Sequence, residues 1–156
     1  MKPVLYLRIA SILTLIHSIL HTIGGVFGKP PSGQAAMIAA SMRYRFEVFG
    51  VMRSYSDFYR GMGLGITVAL TMDAAILWLL ASLAKSDSAR LRPIMSVFLI
   101  GYLALALNSY TFFFSGPVIA ELLLVFCLGA AIFTAKHTHE QEQPQSAQSG
   151  LKAAQL

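Results

Sequence analysis

Four long apolar runs divide this 156-residue chain, at about 4–25, 60–84, 92–114 and 117–135. A helix needs roughly 20 mostly apolar residues to cross the hydrocarbon of a bilayer, and each run is about that long. Composition agrees. Apolar residues make up 56% and charged residues 12%, against about 45–50% and about 25% in soluble domains. So little charge cannot cover a soluble surface. That excludes an ordinary cytosolic enzyme, a disordered chain and a nucleic-acid module. The expected fold is all-α: an integral membrane four-helix bundle with a long amphipathic segment between the first and second helices. Its domain spans 1–135, and a polar Gln/Ser/Ala-rich tail at 136–156 is expected to be disordered. Lys2 and Arg8 ahead of the first run raise the question of a signal peptide. The run is too long for one, carries His17 and His21, and ends without a clear cleavage site, so a retained helix is expected.

Charge placement sets the expected orientation. Lys2, Arg8, Lys85, Arg90, Arg92, Lys136 and Lys152 fall on one side of a four-span layout. Lys29, Arg43, Arg45, Arg53 and Arg60 fall on the other. Seven against five favours both termini in the cytoplasm. The segment 26–59 then lies outside. It opens with the turn GKPPSG, and residues 35–49 have the spacing of an amphipathic helix, with Met37, Ala40, Tyr44 and Val48 on one stripe. Arg43 and Glu47, and Arg53 and Asp57, are four apart; Asp57 and Arg60 are three apart. Two readings stand: a salt-bridged interfacial helix with an aromatic belt (Tyr44, Phe46, Tyr55, Phe58, Tyr59), or a charged lid over a site between the helices. On the second, Arg43, Arg45, Glu47, Arg53, Asp57 and Arg60 are the candidate substrate-binding residues.

Ionisable groups inside spans are costly and normally face the bundle interior. At 1.5 Å per residue, His17, His21, Asn108 and Glu121 fall roughly 6–12 Å below the outer boundary. They come from three different runs. His17 and His21 share a helix face. Such a pair can ligate a metal, act as acid or base beside Glu121, or belong to a structural network. As the catalytic set we take His17 or His21 as base, Glu121 as acid and Asn108 as the group that orients a polar end. No metal or cofactor is assigned. Asp73 lies deeper, where Arg8 is its expected partner. Gly24/Gly28 and Gly61/Gly65 are small-xxx-small pairs that allow close helix packing. The GMGLG run at 61–65 follows no strand, which excludes a nucleotide fingerprint.

The layout resembles the DoxX-like small four-helix bacterial membrane proteins. The resemblance rests on HTIGGVFGK at 21–29, DFYRGMGLG at 57–65, the size and the four spans. It implies a multi-pass protein of the bacterial inner membrane. Sterol-isomerase-like helical proteins, which use buried acids in an intramembrane cavity, offer the same chemical logic without a matching motif. The pattern of the microsomal glutathione-transferase-like family is not found. Two functions are expected from this reading. One is an intramembrane binder or cofactor-independent isomerase or cyclase acting on an isoprenoid, quinone or sterol-like lipophile. The other is a non-catalytic subunit whose Gly-rich faces dock a membrane protein or a second copy. Neither involves nucleic acid.

Overall fold

The structure, a computed structural model, describes residues 2–30 and 32–136. Four of its helices are long and apolar enough to cross a membrane. The first, α1, spans Lys2–Leu20 and continues into a π-helical turn, His21–Val26. A short helix α2, Gln34–Ser41, precedes two strands, β1 (Arg45–Val48) and β2 (Val51–Ser54). Then come α3 (Tyr55–Leu83), α4 (Arg92–Phe112) and α5 (Ser115–Thr134). The expected tail lies, from residue 137 on, outside the described residues.

The long helices form because their apolar runs are unbroken by Pro or charge pairs, and because their ends are satisfied. Pro93 stands in the first turn of α4, where its missing N–H is no loss. Ser54 and Asp57 form a capping box on α3. The Ser54 hydroxyl accepts from the Asp57 N–H at 3.2 Å, and Asp57 Oδ2 accepts from the Ser54 N–H at 2.9 Å. At the other end of the molecule the α3–α4 link holds the end of α5. Ser88 Oγ donates to the Lys136 carbonyl at 3.2 Å and accepts from its N–H at 3.1 Å. The Arg92 guanidinium donates to the Ala135 carbonyl.

Packing is uneven around the molecule. α1 lies between α3 and α5, and α5 carries α4 on its other side. A single buried cluster draws on all four long helices, including Leu7, Leu77, Met95, Tyr102, Leu124 and Leu128. The outward faces are apolar as well: Phe126 is 70% exposed and Phe133 90%. Such a surface suits a hydrocarbon solvent and not water.

Two expectations are corrected here. The all-α reading misses a hairpin. The amphipathic helix expected over 35–49 stops at Ser41, and Tyr44 and Val48 are not on a helical stripe. Antiparallel strands pair Arg45 with Ser54 and Val48 with Val51, closed by Phe49 and Gly50 at φ 49° and 81°. Two residues in left-handed conformation are what a tight hairpin turn requires. The alternation in RFEV and VMRS suits strands, and the Phe46 ring packs on Tyr55 at 4.9 Å and faces Phe58 at 6.5 Å. The second correction concerns the glycines. Gly24, Gly61 and Gly65 have open space where a Cβ would stand. The close approach is made by Gly63, whose Cβ would come within 2.9 Å of Val26 Cγ2.

Gly63→Leu is therefore expected to destabilise the fold by about 1–3 kcal/mol. Gly65→Leu should stay within about 0.5 kcal/mol of the parent. Adding Val26→Ala to Gly63→Leu should recover part of the loss. Unfolding in detergent followed by circular dichroism checks all three.

Candidate functional site

Polar side chains run along the seam between α1 and α3 at helical spacing. Ser11 Oγ donates to the Ala74 carbonyl at 2.7 Å. Ser18 Oγ donates to the Thr67 carbonyl at 3.1 Å and lies 3.0 Å from Thr71 Oγ1. Thr22 and Thr67 hydroxyls meet at 2.8 Å. His21 Nε2 lies 3.0 Å from the Gly63 carbonyl; a carbonyl only accepts, so the ring hydrogen sits on Nε2. Small polar residues that let helices approach and hydrogen-bond are the usual adhesive inside hydrocarbon.

Deeper in, three helices meet at Tyr102, which is 2% exposed. Its hydroxyl donates to Asp73 Oδ2 at 3.1 Å, and the Thr14 hydroxyl lies beside it. This bond joins α4 to α3, two helices whose backbones do not pack closely on each other, since α3 packs chiefly on α1 and α4 on α5. Asp73 therefore does not pair with Arg8 as expected. The Arg8 guanidinium stands 4.7 Å over the Trp78 ring instead, with Nε buried and unpartnered. A guanidinium on an indole face gains a cation–π attraction that grows when it is desolvated.

The buried carboxyl nearest the hairpin end of the bundle is Glu121, 5% exposed. Ser109 Oγ donates to its Oε1 at 2.9 Å, and Oε2 has no partner among the described residues. His17 is half-buried on α1, with Nδ1 likewise buried and without a partner among the described residues. The two lie at related heights. From the Thr14–Tyr102 contact, His17 is about 4.5 Å along α1, and Ser109 is about 10 Å along α4, level with His21. Glu121, tied to Ser109, thus stands about one turn above His17 on the neighbouring helix α5.

Asn108 does not join them. It is exposed and makes no hydrogen bond among the described residues, because one residue of helix turns it about 100° from the buried Ser109. Asn108, expected to orient the polar end of a substrate, lies off the site; Ser109 meets Glu121 instead, and the structure adds Tyr102, Thr14 and Asp73. The sequence carried a signal for the seam: hydroxyls at 11, 14, 18 and 22 recur every three or four residues. Among the described residues, no three His, Cys, Asp or Glu side chains gather closely enough to hold a metal ion.

Arg43, Arg45, Glu47, Arg53, Asp57 and Arg60 are all exposed, on the hairpin and the start of α3. The expected pairs Arg43–Glu47, Arg53–Asp57 and Asp57–Arg60 do not form ion pairs. Among the described residues the one salt bridge is Arg90–Asp87, at 3.1 Å. The hairpin breaks the helical spacing that would have aligned the first two pairs, and Asp57 Oδ2 is taken by Ser54.

Ser109→Ala is expected to destabilise by about 1–3 kcal/mol, because it leaves both Glu121 oxygens buried without a donor. Asn108→Ala, at an exposed position, should stay within about 0.5 kcal/mol. Thermal unfolding of the two variants side by side tests which of these adjacent residues serves the carboxyl.

Comparison with known proteins leaves this geometry to stand by itself: the chain matches no family model, no curated protein and no solved structure.

Proposed function

We propose that this chain is an integral membrane four-helix bundle that binds a lipophilic molecule by its polar end. Glu121 and His17 are the binding groups, and the space between α3 and α4 is the way in from the lipid. The observation that carries the reading is the free oxygen of Glu121. A buried polar atom left without a partner costs about 1–3 kcal/mol. A second atom without a partner among the described residues, His17 Nδ1, stands on α1 about one turn lower along the bundle axis. A ligand hydroxyl or carbonyl placed between them would satisfy both. A carboxyl can accept from a hydroxyl or, as the acid, donate to a carbonyl, and an imidazole can take the complementary part.

Isoprenoid alcohols, quinones and sterol-like molecules have the right form: one hydrogen-bonding end on a body that belongs in hydrocarbon. If turnover follows binding, the same two groups supply an acid and a base, enough for an isomerisation or cyclisation without a soluble cofactor. The α3–α4 side supports lateral entry, because there the helices are bridged by the Tyr102–Asp73 side chains and not by backbone packing. We place the protein in the bacterial inner membrane with both termini cytoplasmic, on the charge asymmetry of its loops.

The test is purification in mild detergent followed by mass spectrometry of the retained lipids. One lipophile with a hydroxyl or carbonyl end should be enriched over its share of the membrane. Glu121→Gln keeps the shape and removes the acid, and should lower occupancy about tenfold, the worth of one good hydrogen bond. His17→Ala should act in the same direction. An extract that mirrors bulk membrane composition in parent and variants would sink the proposal.

A further inference from the structure

The hairpin carries two cations that the intramembrane site does not use. Arg45 Nη2 donates to the Met52 carbonyl at 3.2 Å, and Arg53 Nη1 donates to the same carbonyl at 3.3 Å. Two guanidinium groups gathered on one oxygen are close neighbours of like charge. Each keeps further N–H donors free, since a guanidinium has five. Asp57 is the nearby acid: its Oδ2 accepts both the Ser54 N–H and the Ser54 hydroxyl at 2.9 Å, and its charge is felt by Arg45 and Arg53 without closing an ion pair among the described residues, so the two cations outnumber it. Glu47 shares the strand face of Arg45 and makes no ion pair among the described residues. Paired guanidinium groups with free forks suit the oxygens of a phosphate.

Two further observations say where that phosphate comes from. A groove of about 360 Å³ starts at Arg53 and Asp57 and runs along Phe58, Gly61 and Met62. It follows the first turns of α3, a helix long and apolar enough to enter a membrane. Gly61 keeps it open, with nothing within 4 Å of where its Cβ would be. The hairpin also ends in an apolar tip. Phe49 is fully exposed at φ 49°, a conformation that Asn or Gly adopts more readily, and Val48 and Val51 flank it. A strained, exposed aromatic at a turn marks a position kept for contact.

We infer that the hairpin and the first turns of α3 form a binding site for an anionic phospholipid. Arg45 and Arg53 hold its phosphate, the groove receives the start of an acyl chain, and Phe49 rests in the interfacial layer. This site is separate from Glu121 and does not depend on what binds there.

Native mass spectrometry of the full chain in detergent tests it, titrating phosphatidylglycerol, phosphatidylcholine and inorganic phosphate in parallel. Phosphatidylglycerol should bind at least tenfold tighter than phosphatidylcholine. The double variant Arg45→Gln/Arg53→Gln should bring the two lipids within about twofold of each other. Gly61→Leu fills the groove while leaving both arginines. It should weaken phosphatidylglycerol several-fold and leave inorganic phosphate unchanged. Glu121→Gln should leave phosphatidylglycerol binding as it was. Equal affinity for both lipids in the parent, or a preference that survives loss of both arginines, overturns the inference. So does inorganic phosphate that competes phosphatidylglycerol off at equal concentration, which would make this a free-anion site.

Discussion

Every polar group buried in this molecule needs a partner that water will not supply, and α1 meets that need along one edge. Its hydroxyls at Ser11, Ser18 and Thr22, with the His21 ring, bond to α3 over several turns. Each bond is worth only about 0.6 kcal/mol inside a membrane, because an unassembled helix finds other donors. Their value is register. A helix seam made only of Leu and Ile can slide by a turn at small cost, whereas hydroxyls that must meet particular carbonyls cannot. Once α1 is fixed on α3 by this edge, its other flank is free for α5, and α5 then carries α4.

That order of packing leaves α3 and α4 facing each other without a seam of their own. Tyr102 spans the interval with a long, rigid side chain whose hydroxyl reaches Asp73. A phenol is well suited to this: it brings apolar bulk to the core and a donor at its tip. The result is a side of the molecule held at side-chain length. On the hairpin side of that bridge sit Glu121 and His17, two groups with unused hydrogen-bonding positions among the described residues. On the proposed function, the same feature that weakens helix packing on this side is the route by which a lipophile reaches them.

The long helices could be read directly from the sequence because a single property, sustained hydropathy over some twenty residues, decides them. The site could be read only in part, and the failures are local. Asn108 and Ser109 differ by one position, and hydropathy depth places both at the same level; only the rotation of α4 decides which one faces Glu121. Amide polarity drew notice where a hydroxyl does the binding. The hairpin was hidden for another reason. Arg43/Glu47 and Arg53/Asp57 have helical spacing, but RFEV and VMRS also alternate with period two, and Phe-Gly is an uncommon turn pair beside Asn-Gly or Asp-Gly. The glycine pairs misled because spacing alone cannot say which face of α3 meets α1; Gly63, between the two that were singled out, does.

The π-helical turn at His21–Val26 joins these points. Its Phe27 N–H bonds to the Thr22 carbonyl, five residues back. A π turn inserts an extra residue into the helical phase, and such turns often mark functional positions. Without it, continued α-helical phase after Ser18 and Thr22 would carry Val26 along the same α3 edge at a different height and rotation. With it, Val26 lands on Gly63 while the His21 ring still reaches the Gly63 carbonyl. One glycine therefore receives both contacts, and α1 ends against the start of α3, close to the capping box that launches that helix from the hairpin. The contact that seats the end of α1 and the arginine-bearing hairpin are in this way built on neighbouring turns of α3.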